Sequence, residues 1–520
     1  MRIALIITRN GFFISVSNVS SGAVEKRVII LLGTWTSHAD YQQYVSSALS
    51  LIAARTPHAL FEYRDAISKA YILNLDPLKR LMLPLYSLTG RPSENQLEIF
   101  RSLILMICLG FSLDRWMVKL RHNPVLRIAC GFHGKLPGIA SYYDFINRLI
   151  RLDDKPRCKP KKRKPREKHG KKKLPPKRPG IVKRLVKEIL RGRRLNHRPE
   201  RLLQEIFAKV CVQTSVDLGL IGQSVSISGD GTCIKTGASQ FGVKTCDCKD
   251  FRCDCPRRFS DPNANWGWDS HKEHWFYGYT GYFISTYNRA EKLDLPLYLR
   301  LVDAKRHDSI SAVIALAEFR DLYPNLTVEN FISDSASDNY ATYELLDEWG
   351  INAVIALNRI NKGNFKYPDN ITVDENGVPV CPGGNNMVYF GFCGKDRCRL
   401  KWRCPKACGK SCDSCAGCSL TEYGRTVYTK PEWDLSLFTK IPRGSRKWKE
   451  IFKERTAAER VNNRILNHYG IENSRVRGKK RISFFATAAG FNIHLDAQLA
   501  KLIATGAFDF NKIFGLQAAA

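Results

Sequence analysis

Acidic side chains are the scarce class in this chain: 49 Asp and Glu stand against 82 Lys and Arg in 520 residues, a formal charge of +33. That imbalance excludes a charge-neutral surface and favours a polyanionic partner, because basic side chains gain affinity by releasing counterions from phosphates. Long apolar runs are missing as well. The longest candidate, 103–113, is shorter than the roughly 18–20 residues of a membrane helix and reads as a buried core helix. The apolar start at 3–7 is cut by Thr8, Arg9 and Asn10 before a signal-peptide core forms. No membrane association is expected, and a cytoplasmic protein is. Evenly spread cysteines of a disulfide framework are absent too. Most of the 17 cysteines crowd into two clusters with no export signal, which favours metal ligation over disulfides.

What is present divides by pattern. Length predicts two to four domains. Residues 1–40, broken by Gly11, Gly22 and several serines, form an extension to which no function is assigned. From 41 to 153 the apolar period is helical, as in Leu97, Phe100, Ile104 and Ile107. Gly110-Phe111-Ser112 offers a helix stop and a capped restart, which fits either a helix-turn-helix or an ordinary helical hairpin. Residues 154–200 form a basic arm in which Lys161, Lys162, Arg163, Lys164, Lys171, Lys172 and Lys173 are candidate phosphate contacts, because like charges at this density resist compaction. A basic helix near 182–194 is expected to end it.

An α/β pattern follows over 201–500, with a helix-poor tail at 501–520. Strands are predicted at 224–234, 275–286 and 295–302, then a helix at 309–322, a strand at 328–334, a helix at 340–349 and a strand at 353–357. This βββαβαβ order is the layout of a ribonuclease-H-like sheet. Stretches 236–270 and 361–445 read as insertions, the latter Gly-, Pro- and Cys-rich, with no apolar core expected in its 393–418 part.

Three acids stand out on separate elements. Asp230 lies within the first strand, where an unpaired carboxylate is costly. Asp334 ends a later strand, and Glu459 lies on a helix four residues after Arg455, a spacing that also describes an ordinary helix-surface ion pair. Two Asp and one Glu suit hard cations such as Mg²⁺ or Mn²⁺, which take oxygen ligands. His307, in the turn Asp303-Ala304-Lys305-Arg306-His307-Asp308, reads as a cap or structural contact over a DNA or metal contact, and no catalytic role is assigned to it.

Gly229-Asp230-Gly231-Thr232, Ser333-Asp334-Ser335 and Arg455-x-x-x-Glu459-Arg460 resemble the three acidic boxes of the DDE-type transposases of bacterial insertion sequences. Gly90-Arg91-Pro92 and the stretch from Leu113-Asp114 to Leu126-Arg127 are similar to the helical domain of their InsH-like group. The resemblance implies Asp230, Asp334 and Glu459 as catalytic Mg²⁺ ligands, Arg455 as a DNA contact, a homodimer on terminal inverted repeats and target DNA, and association with the nucleoid. Where relatives carry a Tyr and a Lys near the third box, this chain has Phe452 and Leu466, so no DNA contact is assigned to Leu466. A non-catalytic, zinc-containing DNA-binding protein and a ribonuclease-H-like nuclease without strand transfer are the alternatives.

Cys393, Cys398, Cys404, Cys408, Cys412, Cys415 and Cys418 fall within 26 residues, and the Cys412-x-x-Cys415-x-x-Cys418 spacing is expected to hold structural Zn²⁺, with Cys381 as a possible further ligand. Cys246-x-Cys248 and Cys253-x-Cys255 make a more strained chelate, and zinc and free thiols both stay open there; His271 and His274 are reserve ligands. Sulfur ligands suit zinc, so neither group is expected to be the catalytic metal site.

Overall fold

The computed structural model describes residues 35–86, 92–151, 157–162, 179–196, 198–250, 252–270, 272–358, 367–393, 397–410, 418–419, 421–472 and 475–516, and the backbone of 2–8 and 11–17. Arg163, Lys164, Lys171, Lys172, Lys173, Cys412, Cys415 and His271 of the sequence reading, with Gly90 and Arg91, lie outside the described residues.

The chain forms two units, one comprising Met1–Asp153, Pro199–Thr214 and Thr487–Ala520, the other Asp154–Arg198 and Ser215–Ala486. The first is helical, apart from an antiparallel backbone pairing of Arg2–Thr8 with Gly11–Ser17. Gln96–Cys108 ends at Gly110, whose φ of +69° suits a residue without Cβ. Leu113–His122 restarts there at 108° to it. Among the described residues no single helix is long and apolar enough to cross a membrane. One buried polar set in this unit pairs internally: the Trp116 Nε1 donates to Ser102 Oγ at 2.8 Å, and Ser102 shares a 2.8 Å bond with the Tyr142 hydroxyl.

Two stretches lie elsewhere than the 201–500 and 501–520 divisions predict. Residues 199–214 and 487–520 belong to the helical unit. The segment read as a tail buries Phe508, Phe510, Phe514 and Leu516, and Tyr71 meets the Phe508 and Phe514 rings at 6.1 and 5.6 Å. Its helix, Phe510–Ile513, is too short to carry a readable period.

The second unit is mixed α/β. In chain order its main elements are α1 (Ile181–Leu190), β1 (Ser224–Lys235), β2 (Asn265–Asp269), β3 (His274–Asn288), β4 (Leu293–Asp303), α2 (Asp308–Leu322), β5 (Thr327–Ser333), α3 (Tyr340–Glu348), β6 (Asn352–Ile355) and α4 (Thr456–Asn463). Strands β1, β3 and β4 pair antiparallel in succession, β2 pairs with the start of β3, and β5 and β6 add parallel strands beyond β1. The sheet is therefore mixed. β3 is buried along nearly its whole length, which explains its aromatic and β-branched run in place of strict alternation.

Helix α1 is the basic helix expected at the end of the arm, and it packs on the unit. Val182 and Val186 pack on Val313 of α2 and on Ala341 and Leu345 of α3, while Lys183, Arg184 and Lys187 face solvent. Arg198 closes the segment with a bidentate pair to buried Glu318 at 2.8 and 3.2 Å. The described part of the 361–445 insertion has an apolar core, to which the 393–418 stretch contributes Leu400 and Trp402. Val378, Met387, Leu400, Trp402, Leu437 and Phe438 cluster around an antiparallel sheet of Val388–Cys393, Arg399–Arg403 and Thr426–Thr429. These apolar residues are too widely spaced in sequence for any local period to announce them.

Candidate active site

The parallel pairing of β5 with β1 fixes two of the acids. Ile332 stands opposite Ser228, and Ser333 Oγ donates to the Gly229 carbonyl at 3.5 Å, so the register offset is 104 residues, the same offset that separates Asp334 from Asp230. Matching register positions point to one face. Asp334 thus emerges beside Asp230 as β5 ends, and its carboxylate accepts from the Ala336 N–H at 3.1 Å in the turn that follows.

Helix α4 covers the same region. Ala457, Ala458 and Val461 are buried, and the helix packs on β1, β3 and β4. Arg460 anchors it through a two-pronged bond to Asp294 of β4, at 2.6 and 2.7 Å. Asn462, one turn beyond Glu459, donates from Nδ2 to Asp230 Oδ2 at 2.9 Å. Glu459 itself is half exposed and paired with Arg455 at 2.7 Å. The helix-surface ion pair foreseen from the spacing therefore forms, on a helix that also reaches Asp230.

The electrostatics single out Asp230. Burial, then the charges of Asp334, Asp308 and Glu459, push its carboxyl from 3.8 up to about 7, against a smaller opposing effect of Arg455. Asp308 was not singled out from sequence. It opens α2, where an acid reads as helix-end charge complementarity. No local signal marked it; its neighbour is Gly231, where a Cβ would sit 2.5 Å from Asp308 Oδ1. Strand alternation turns residue 231 to the face opposite Asp230, so Asp308 approaches β1 from behind the sheet. Burial first, and then Asp334, raise its carboxyl to about 6, with His307 opposing. His307 caps α2, its Nδ1 accepting from the Ser309 N–H at 3.3 Å.

Asp230 and Asp334 thus share a face with the helix bearing Glu459 and Asn462. Asp230 accepts from the Asn462 amide, and Asp334 from the Ala336 N–H. The acids remain spread out: among the described residues the only group of three or more ligand atoms lying within 4.8 Å of one another is Cys246, Cys248, Cys253 and Cys255.

Those four thiols can hold a metal ion such as zinc. Their Sγ atoms lie 3.2 Å (246 to 248), 3.6 Å (246 to 253) and 3.9 Å (248 to 255) apart. The ranking of the two cysteine clusters is thereby reversed for the described residues. Cys393, Cys398, Cys404, Cys408 and Cys418 form no such group, and Cys381 belongs to the apolar core of the insertion. Two Cys-x-Cys pairs facing each other across a hairpin converge better than their separate chelate strain suggests, while Cys412 and Cys415 of the other cluster lie outside the described residues.

The described basic candidates also differ. Lys161 is partly exposed. Lys162 is turned inward: its Nζ donates to the Pro262 carbonyl at 2.9 Å and to the Ala264 carbonyl, and lies 5.0 Å from the Phe259 ring centroid. Burial lowers its ammonium to about 8. It is a structural lysine and not an open phosphate contact, because carbonyls already take its donors. Arg455, paired with Glu459, lies 5.8 Å from the Phe452 ring centroid, and Leu466 is buried. No protein-family model and no curated protein matches this sequence.

Proposed function

We propose that the chain is a DNA transposase of the DDE type, working through Asp230, Asp334 and Glu459 on a ribonuclease-H-like sheet. The observation that carries the reading is the joint position of the two aspartates on adjacent parallel strands under α4, with Asp230 raised to about 7. The strand order supports the same fold, since three antiparallel strands are followed by two that run parallel to the first. The +33 charge supports a nucleic-acid substrate.

Asp230 and Asp334 are the residues that would hold Mg²⁺ or Mn²⁺, joined by Glu459 once its carboxylate leaves Arg455. Such a cation supplies charge stabilisation for phosphoryl transfer. Asn462 keeps Asp230 turned toward the site. Arg455, freed from Glu459, becomes a phosphate contact. On this reading water first cleaves the strand at an element end and leaves a 3′-hydroxyl, which then attacks a phosphodiester of target DNA, two chains acting together on the two ends. Residues 154–200 supply sequence-independent DNA affinity.

Duplexes carrying the gene's flanking inverted repeats, incubated with the protein and Mg²⁺, test this. Strand cleavage and joining are expected, and Asp230→Asn, Asp334→Asn and Glu459→Gln should each abolish both while retaining DNA binding. Cleavage without joining selects the nuclease; binding without cleavage in the unaltered protein selects the non-catalytic DNA-binding reading.

A further inference from the structure

The four-cysteine group sits where the chain has little else to hold it. It occupies the loop between two-residue strands, Val243–Lys244 and Arg257–Arg258, whose register pairs residue 243 with 258 and residue 244 with 257. A third two-residue strand, Cys158–Lys159, lies on the other edge of Arg257–Arg258. The Phe259 N–H donates to the Arg157 carbonyl at 3.0 Å. So small a sheet contributes little apolar burial of its own: Val243 and Phe241 are exposed, and Phe259 is the large apolar side chain buried beside it. Hairpins of this size are marginal in water without a cross-link.

Thiol geometry supplies that cross-link. A tetrahedral Zn²⁺ with Zn–S bonds of about 2.3 Å places its sulfurs about 3.8 Å apart along every edge. The observed 3.2, 3.6 and 3.9 Å separations bracket that value, and all four sulfurs lie within 4.8 Å of one another. They are far from the roughly 2.05 Å of a disulfide. Four thiolates around Zn²⁺ carry a net charge of −2, and the surroundings are cationic. Arg257 Nη2 donates to Cys253 Sγ at 3.2 Å, and Lys244 Nζ donates to the Cys248 and Asp250 carbonyls. N–H bonds to ligating sulfur are the usual outer support of such sites.

We infer that Cys246, Cys248, Cys253 and Cys255 bind one structural Zn²⁺, and that this ion clasps the start of the basic arm, residues 157–162, onto the α/β unit. The metal rigidifies the 245–256 loop, the loop fixes the Arg257–Arg258 strand, and that strand holds Cys158–Lys159. Lys162, bound to the Pro262 and Ala264 carbonyls, completes the attachment. The clasp stands independently of the reading as a transposase, because it follows from the thiols and the strand pairing alone.

The test uses the full chain purified under reducing conditions. Alkylation with mass-spectrometric readout should leave Cys246, Cys248, Cys253 and Cys255 protected together, and chelation should expose all four together. The Cys246→Ser, Cys255→Ser double variant should lose about one equivalent of zinc and the matching thiolate-to-metal charge-transfer absorption after Co²⁺ substitution. A Cys404→Ser variant, altered in the other cluster, should keep this protection pattern. Trypsin should cut after Arg157 and Lys161 several-fold faster after chelation. Equal labelling of the four thiols with and without chelator overturns the site. Protected thiols with unchanged trypsin rates at 157–162 overturn the clasp.

Discussion

Replacing Asp230 by Asn should stabilise the metal-free protein, with a pH dependence that reports the cause. Sign and size follow from the site. The carboxyl titrates near 3.8 when ordinary and near 7 here, so between those values the folded state holds a proton that the unfolded state has released. Native stability therefore falls as pH rises through that window and levels off above about 7. At about 1.4 kcal/mol per pH unit the full penalty is roughly 4 kcal/mol, and on the order of 2–4 kcal/mol remains once neighbouring groups relax. Asn keeps the shape and an oxygen to accept from Asn462 but carries no charge to be repelled by Asp334. Calorimetry in EDTA should show the variant melting roughly 4–8 °C higher at pH 8, at about 2 °C per kcal/mol for a unit of this size, and level with the parent near pH 4. Mg²⁺ should raise the parent's melting temperature and leave the variant's nearly unchanged, because a ligand that binds only the folded state stabilises it. A variant that melts at or below the parent at pH 8, or a gain equally large at pH 4, refutes the argument.

Three further outcomes are expected. Gly231→Ala places a methyl 2.5–2.8 Å from the Asp308 carboxylate and should cost about 1–3 kcal/mol by overpacking; adding Asp308→Ala should recover much of that in thermal denaturation, and strictly additive losses contradict the contact. Lys162→Ala should lower stability by about 1–3 kcal/mol, since it leaves carbonyls without a buried donor, yet leave the salt dependence of DNA affinity unchanged; a reduced slope would make Lys162 a phosphate contact after all. Deleting 163–178 should weaken binding to every duplex, with the log-log salt slope falling by about 0.9 for each phosphate the arm no longer neutralises, measured by fluorescence anisotropy over a salt series.

How far the sequence could be read depended on whether its signals were local. Strands β1, β3, β4 and β5 and helices α2 and α3 were legible because their periods run over seven to fifteen residues, and the two aspartates because they sit on or at the end of such strands, whereas β2 was read as part of the 236–270 insertion. What escaped was created by contacts between distant residues. Asp308 looked like a helix-end acid until a glycine 77 positions earlier, Gly231, proved to be its neighbour. Asn462 had no local mark at all, and its bond to Asp230 spans 232 residues. Lys162 sat in a run of like residues, where composition assigns one role to all; a nearby carbonyl cage removed it from that role.

The cysteines bring out the same distinction in a form that bears on the site itself. Counting ligands along the chain favoured 393–418, of which Cys412 and Cys415 lie outside the described residues, and left 246–255 open; a metal responds to distances between sulfurs, and these depend on where the backbone reverses. The turn between Val243–Lys244 and Arg257–Arg258 brings two Cys-x-Cys pairs face to face. Asp230 and Asp334 follow the same rule. They are 104 residues apart, and it is the register of β5 on β1, with that same offset, that makes them neighbours. Glu459 has no strand register to place it, because it arrives on a helix whose position is set by Arg460 on Asp294 and Asn462 on Asp230. The aspartates are consequently fixed by backbone hydrogen bonds, while the third carboxylate is fixed only by side chains and is paired with Arg455 at the surface. In the proposed site, therefore, a cation that draws Glu459 inward must first separate it from Arg455.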